Sequence, residues 1–240
     1  MQGRLLEALR PLVSGDLKVI GASRTDAGVH ALGQVASVHG SQPLDPDTVM
    51  AALNARLPRD IRILAATAVP GEFDARRSGR LKRYGYLVTT DAVPSPFLRG
   101  FAWQIGRPLD TQAMAQAASA LRGKHDFSAF CAAPGRTRDP VCRVLAVRVV
   151  ARRRRIGILI SADAFLHHMV RNLVGTLLEV GRGRRPPEWV GDVLAGRDRR
   201  RAGPTSPPDG LYLLRVSYLW TLFPGGRGAG RVRPTLRPTG

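Results

Sequence analysis

The chain has 240 residues, 37 basic side chains against 18 acidic ones, and 44% hydrophobic residues. That length suits one large domain or two small ones with an adequate core, and the hydrophobic share excludes a disordered basic tail protein. No apolar run approaches the roughly 18 residues of a membrane-spanning helix, no basic segment followed by an apolar one marks export, and two cysteines, Cys131 and Cys142, cannot build a disulfide framework, so a reducing cytoplasm is the expected compartment.

The charge has two parts. Lysine occurs only at Lys18, Lys82 and Lys124, an imbalance that reflects GC-rich coding. Such bias explains arginine over lysine, but not bases over acids. The net +19 predicts affinity for a polyanion, nucleic acid above all.

Leu5, Leu6, Leu9 and Val13 recur at helical spacing, and Ser14-Gly15 ends the pattern. Residues 17–21 and 32–39 read as strands around a Gly-rich segment, Gly21 to Gly33. Asp45-Pro46 pairs an N-cap with an N1 proline and opens a helix over Val49, Leu53 and Leu57, which Pro58 closes. Residues 61–69 read as a strand. The strand 82–90 carries Tyr84 and Tyr86 on one face. After a connector marked by Pro94, Pro96 and Gly100, Asp110 caps an Ala-rich helix ending near Gly123. Strands at 141–150 and 156–162 flank a basic hairpin tip, Arg152-Arg153-Arg154-Arg155. An apolar helix follows from Leu166 to Val180, then a short one from Pro186-Pro187 to Gly196, then a strand at 211–219. Residues 221–240 read as a disordered basic tail. The order predicts an α+β protein of two related α/β halves, 1–77 and 78–220, each a largely antiparallel sheet with helices on one face.

The densest chemical signal is Gly21-Ala-Ser-Arg-Thr-Asp-Ala-Gly-Val-His30, which joins two predicted strands. If it is locally extended, Arg24 and Asp26 point the same way. A paired arginine keeps an aspartate ionised and oriented, and such a carboxylate serves as a nucleophile or stabilises developing positive charge. Ala27 and Gly28 leave room for a substrate backbone. The competing reading is an Asx-type turn at Asp26 with an incidental Arg24.

Arg24-Thr-Asp-Ala-Gly-Val-His30 and Gly33-Gln-Val35 resemble the signature of the TruA family, the tRNA pseudouridine synthases that modify the anticodon stem-loop. Further matches follow in order: Asn54 to Pro58 with Asp60-Ile61, Phe73 with Ala75-Arg76, Arg83-Tyr84-Gly85-Tyr86, Asp126-Phe127, the long run Phe165 to Gly175, Glu179-Val-Gly181, and Gly210-Leu-Tyr-Leu213. The resemblance spans about Gln2 to Tyr218. It implies the pseudouridine synthase fold with a central RNA-binding cleft, and action on uridines 38–40 of tRNA. It also implies a cytoplasmic homodimer and no cofactor. By this resemblance Asp26 is the covalent nucleophile, Arg24 and Arg171 are its basic partners, and Tyr84 stacks on the target uracil. Leu211 is an apolar wall of the base pocket. Apart from the resemblance, Arg76, Arg77, Arg80 and Arg83 read as RNA contacts because they lead into the Tyr84 strand, and His30 as a further substrate contact.

The chemistry agrees with these residue types. Pseudouridine formation breaks the N1–C1′ bond, turns the base and rejoins it through C5. Substrate and product are isomers, so no redox equivalent is consumed. The enzyme needs a carboxylate near C1′ or C6, a wall to hold the detached uracil, and an acceptor for the C5 proton. A tyrosine offers both a flat face and a hydroxyl. The target must also leave its stack. Arg171 lies off the apolar stripe of Met169, Val170, Leu173, Val174 and Leu177, so residue type alone expects it solvated. His167 and His168 are expected to point apart on their helix. No His-Glu-x-x-His pattern appears and the cysteines lack zinc spacing, so no metal is expected. The arginine clusters at 152–155, 182–185 and 197–201 read either as phosphate contacts or as solvated loops.

Three departures from the family stand out. Ser23 replaces a common glycine. Asp74 replaces a histidine, an unhelpful charge if it faces RNA. The family opens with a strand and loop containing Tyr-Asp-Gly and later Gly-Trp-Gln, and this chain begins after them. The N-terminal sheet is therefore expected to lack its first strand, with Met1 a misplaced or artificial start. The alternative reading is a truncated, catalytically weak RNA-binding protein of the same fold. A metal-dependent RNA-processing enzyme is disfavoured, because carboxylates do not cluster.

Overall fold

Aspartate caps start two of the helices where the sequence predicts them. The computed structural model describes residues 1–13, 15–42, 44–132, 139–219 and 222–223. In it, α2 runs Pro46–Arg56, and the Asp45 carboxylate accepts from the Thr48 backbone N–H at 2.8 Å. Helix α3 runs Thr111–Ser119, and the Asp110 carboxylate accepts from Ala113 N–H at 2.9 Å. Each cap satisfies a donor that the first helical turn leaves unpaired. Asp110→Ala is expected to lower stability by about 1 kcal/mol, seen as a lower urea midpoint at unchanged slope. An unmoved midpoint would show that the cap contributes nothing.

The residue contacts divide the chain into two units. The first holds residues 1–24, 34–80 and those from Val216; the second holds 25–33 and 81–215. This differs from halves cut at 77/78, because the Asp26 loop goes with the second unit rather than with its sequence neighbours. The cause is a short parallel pairing, described below, that ties residues 30–33 to 212–213.

In the first unit α1 (Gln2–Leu9) continues into a 3-10 turn, Arg10–Leu12. Strands β1 (Lys18–Gly21) and β3 (Ala36–His39) pair antiparallel, from Lys18 against His39 to Gly21 against Ala36. Leu5, Leu9, Val19, Leu53 and Leu57 form the core of this unit. The predicted strand at 61–69 does not form. Its alternating apolar residues have the right period, but a strand needs a neighbour, and none lies along it among the described residues. Its backbone is held near its start instead: Ile61 N–H donates to the Pro58 carbonyl, and Asn54 donates to the Ile63 carbonyl at 2.9 Å and accepts from Ile63 N–H at 2.8 Å.

The second unit carries most of a seven-stranded sheet. Its strands are β2 (His30–Ala31), β4 (Leu81–Thr89), β5 (Trp103–Gln104), β6 (Gly123–Asp126), β7 (Val141–Arg152), β8 (Arg155–Ala162) and β9 (Leu211–Ser217). The order is β2-β9-β4-β8-β7-β6, with β5 also on β4. The β4–β8–β7–β6 ladder is antiparallel, while β2–β9 and β4–β5 are parallel. Tyr84, Tyr86 and Val88 register with Ile160, Ile158 and Ile156, and all six are buried on one face. Helix α3 packs on β7 and on α4 (Met169–Gly181), and α5 (Trp189–Gly196) packs on α3.

Helix α4 departs from the sequence expectation in two ways. It begins at Met169 instead of Leu166, because Met169 N–H closes a turn on the Leu166 carbonyl and His168 is left-handed, with φ 58° and ψ 8°. It is also buried nearly all round, including Asn172, Gly175 and Thr176. An arginine on such a helix has little solvent to reach. Among the described residues no helix is long and apolar enough to cross a membrane. The predicted tail at 221–240 lies outside the described residues except for Leu222 and Phe223.

Candidate active site

Asp26 occupies the first position of a tight turn. Its carbonyl accepts from Val29 N–H at 3.1 Å, and Gly28 takes φ +82°, a value suited to glycine at the third turn position. A side chain at Gly28 would also press on Pro208, whose Cγ lies 3.0 Å from the position of an added Cβ. Past the turn, His30 and Ala31 pair with Tyr212 and Leu213, and both Leu32 and Gly33 N–H donate to the Leu213 carbonyl. The carboxylate is thus carried on a short loop with a rigid exit.

His30 belongs to that exit. Its Nε2 bonds the Gly100 carbonyl at 2.7 Å, and its ring stacks on Phe101 and Tyr212 at 5.1 and 4.7 Å. The Tyr212 hydroxyl donates to the Phe101 carbonyl. This packing makes His30 a brace for the loop, whereas the sequence reading gives it a substrate contact.

Two donors reach the Asp26 carboxylate, and both choose Oδ2. Arg171 Nη1 lies 3.2 Å away and His168 Nε2 3.0 Å away. Neither bond falls on Oδ1. Asp26 keeps 37% of its side-chain exposure, while Arg171 keeps 14%. Arg171 is clamped from behind: its Nε donates to the Ser206 carbonyl at 2.7 Å, and its own carbonyl accepts from Ser206 N–H and Oγ–H. The expectation of a solvated Arg171 from residue type alone is therefore overturned. A carboxylate fixed by cationic and hydrogen-bond donors on one oxygen presents the other to a substrate.

The aromatic wall joins the same segment. Tyr84 is buried, and its ring meets Phe165 edge-on at 4.8 Å. Residues 165–171 therefore touch Tyr84 at one end and Asp26 at the other. Leu211 is buried at the start of β9, where its N–H donates to the Pro208 carbonyl. Tyr86 shares the Tyr84 face, but its hydroxyl donates to the Pro207 carbonyl and burial pushes its pKa upward. Tyr86 thus keeps its proton and serves as structure.

Arg83 does not share the Tyr84 face. It alternates to the opposite side of β4, bonds Ser161 Oγ at 3.2 Å, and lies in register with the face bearing Arg148, Arg152 and Arg155. Leading into the Tyr84 strand is thus no reason to expect it beside Tyr84. Arg24 and Arg76 belong to the first unit, and both are exposed. Asp74 is occupied locally, accepting from the backbone N–H groups of Arg76 and Arg77 at 2.8 Å each. The bond from Arg77 leads in holding its carboxyl below the usual range. The Ser23 backbone N–H and carbonyl bond the Gln34 side-chain amide, contacts that glycine at this position would make equally.

The basic clusters divide by use. Arg182 and Arg184 both pair with Glu179, and Arg182 sits over the Trp103 ring. Arg199 ties Asn172 to the Gly203 carbonyl. These hold the fold. Arg152 to Arg155 form an exposed hairpin tip, whose Arg154 side chain lies 3.9 Å from Asp91.

His167 and His168 are not spread around a helix as expected, because the helix starts after them. Their rings stack at 3.9 Å, and together with Asp26 they offer three ligand atoms within 4.8 Å of one another. The Arg171 guanidinium on the same carboxylate oxygen opposes a cation there. Burial leads in lowering the His168 pKa, His167 and Arg171 reinforce it, and Asp26 opposes it. His168, Phe165 and Ser206 are the site residues that sequence reasoning left without a role. The run Phe165 to Gly175 was the signal that could have found the first two.

The chain matches the family described as tRNA pseudouridine synthase over residues 4–76 and 117–219. It is similar to the tRNA pseudouridine synthase A of Myxococcus xanthus, 44% identical over 219 residues that make up 91% of this chain and 83% of that one. The protein of the same name from Ralstonia nicotianae is 42% identical over 222 residues, 91% of this chain and 81% of its own. That from Moorella thermoacetica is 43% identical over 218 residues, 91% of this chain and 89% of its own.

Proposed function

Because the chain belongs to the tRNA pseudouridine synthase family, we propose that it isomerises uridines 38–40 of the tRNA anticodon stem-loop to pseudouridine, with Asp26 as the nucleophile. The observation that carries this reading is the grip of Arg171 and His168 on Asp26 Oδ2, made by the segment whose other end packs on Tyr84.

Asp26 Oδ1 acts on C1′ or C6 as the N1–C1′ bond breaks. Arg171 holds the carboxylate in place at the moment of attack through its charge-assisted contact with Oδ2. Tyr84 and Leu211 hold the freed uracil while it turns. The C5–C1′ bond then forms as the bond to Asp26 breaks and its carboxylate is released; the C5 proton leaves, with the Tyr84 hydroxyl the candidate to relay it, and N1 gains a proton. Atoms balance without an oxidant or a co-substrate. The open sheet face bearing Arg83, Arg148, Arg152 and Arg155 supports phosphate binding. A contact of Arg76 with RNA is proposed from its place leading into the Tyr84 strand, and the role of Arg24 beside Asp26 carries over from the resemblance as a proposal. So do the two halves lining an RNA-binding cleft, and a cytoplasmic homodimer.

The test is incubation with unmodified tRNA in EDTA, followed by pseudouridine mapping. Pseudouridine at positions 38–40 is expected. Binding without product sinks the isomerase reading and favours an RNA-binding protein of the same fold. Product only with added metal also sinks it. Light scattering that returns a monomer mass for active protein removes the homodimer.

A further inference from the structure

We infer that His168 is a positioning residue for the reaction: by donating from Nε2 to Asp26 Oδ2 alongside Arg171, it sets the carboxylate rotamer so that Oδ1 is the oxygen presented to the nucleoside. The inference rests on Asp26 being the nucleophile.

Three observations carry it. First, the two donors converge on one oxygen, at 3.0 and 3.2 Å. One such contact would leave the carboxylate free to pivot about it. Two donors from separate positions fix the orientation of the carboxylate plane.

Second, the backbone at His168 is in a conformation that helix formation does not explain. The residue before a helix ordinarily sits in the extended region, with a side chain that bonds the first turn. His168 is left-handed, with φ 58° and ψ 8°, and makes no capping bond. Asparagine or glycine would take that backbone at lower cost. Strain of this kind persists where it serves a site. Here it aims the imidazole at Asp26.

Third, the imidazole is held in one form. His167 stacks on it at 3.9 Å, and burial keeps it from charging readily. A carboxylate only accepts, so the ring nitrogen that faces it carries the hydrogen. His168 therefore orients Asp26 without a second full positive charge beside Arg171, leaving the carboxylate more reactive than a doubly paired one.

The test uses the full chain with His168→Gly and His168→Gln. Glycine removes the imidazole while relieving the left-handed backbone, so the variant folds. Glutamine restores an N–H donor of similar reach. For His168→Gly the urea midpoint should stay at or above wild type and tRNA Kd should change less than about threefold. Its single-turnover rate should fall about 10²-fold, the scale of a misplaced reacting group. His168→Gln should recover at least about tenfold of that rate. A His168→Gly rate within about threefold of wild type overturns the role. So does a clear fall in its midpoint, which marks a merely structural residue, or a glutamine variant no faster than glycine. If the wild type itself makes no pseudouridine, the assignment of Asp26 falls and this role with it. An active wild type with an unaltered glycine variant overturns this role alone.

Discussion

Asp26→Asn should abolish pseudouridine formation while leaving tRNA affinity within about tenfold of wild type, since phosphate contacts dominate such interfaces. Asparagine has the shape of aspartate and keeps an oxygen able to accept from Arg171 and His168. Arg171 also retains the Ser206 carbonyl at 2.7 Å, so the clamp behind the site survives. What is lost is the charge and the nucleophilic lone pair. The rate should fall by roughly 10⁴-fold or more, the scale seen when a covalent nucleophile is removed. Filter binding and single-turnover assays on the same preparation separate the two effects. Activity within tenfold of wild type would remove Asp26 from the chemistry, and a collapse of tRNA binding would reassign it to recognition.

Local signals survived folding best. The Asp45 and Asp110 caps start α2 and α3 because a carboxylate satisfies amides only a few residues away. The two-residue period put Tyr84 and Tyr86 on one face of β4, and the Ile156, Ile158 and Ile160 ladder completes it. What failed was non-local. Ile61 and Ile63 carry a strand pattern, but pairing depends on a neighbour that periodicity cannot supply. The Gly-rich pattern puts His30 and Ala31 in a loop, yet their two-residue ladder with β9 decides which unit holds Asp26. Which face of a sheet the helices cover is also non-local, and the sequence order that leads Arg83 into the Tyr84 strand does not tell that it faces away from Tyr84.

The site was legible to the extent that its residue types announce their chemistry. Asp26 and Arg171 stand 145 positions apart, and no spacing rule joins them; the resemblance did. His168 was hidden by a boundary. Considered on a helix from Leu166, the two histidines diverge and carry nothing. With the helix starting at Met169, they stack and reach the carboxylate. Boundaries are soft to sequence patterns, and a left-handed histidine has no compositional signature.

Gly175→Ala should destabilise the protein by about 3 kcal/mol, near the upper end for an overpacked site, although alanine is the better helix former. An added Cβ at Gly175 would overlap the Pro204 carbonyl oxygen and stand 2.9 Å from its carbon. The opposing residue is equally bare: a Cβ at Gly203 would lie 2.7 Å from Thr176 Cα. Two glycines back to back thus let α4 and the 203–206 segment meet backbone to backbone. Gly203 N–H reaches Thr176 Oγ1 at 3.0 Å, and Ser206 brackets Arg171. The obstacle is backbone and cannot swing aside, so helix and segment must separate, and Arg171 moves with them. The rate of the folded fraction should then drop roughly 10²-fold, through misplacement of Asp26. Gly191→Ala is the control of opposite sign. It lies inside α5, its Cβ would find only Ala120 Cβ at 3.8 Å, and the substitution should stabilise by about 0.5–1 kcal/mol. Urea midpoints of the pair decide the matter. A Gly175→Ala midpoint at or above wild type would show that the close approach is dispensable, and that Arg171 is not held by it.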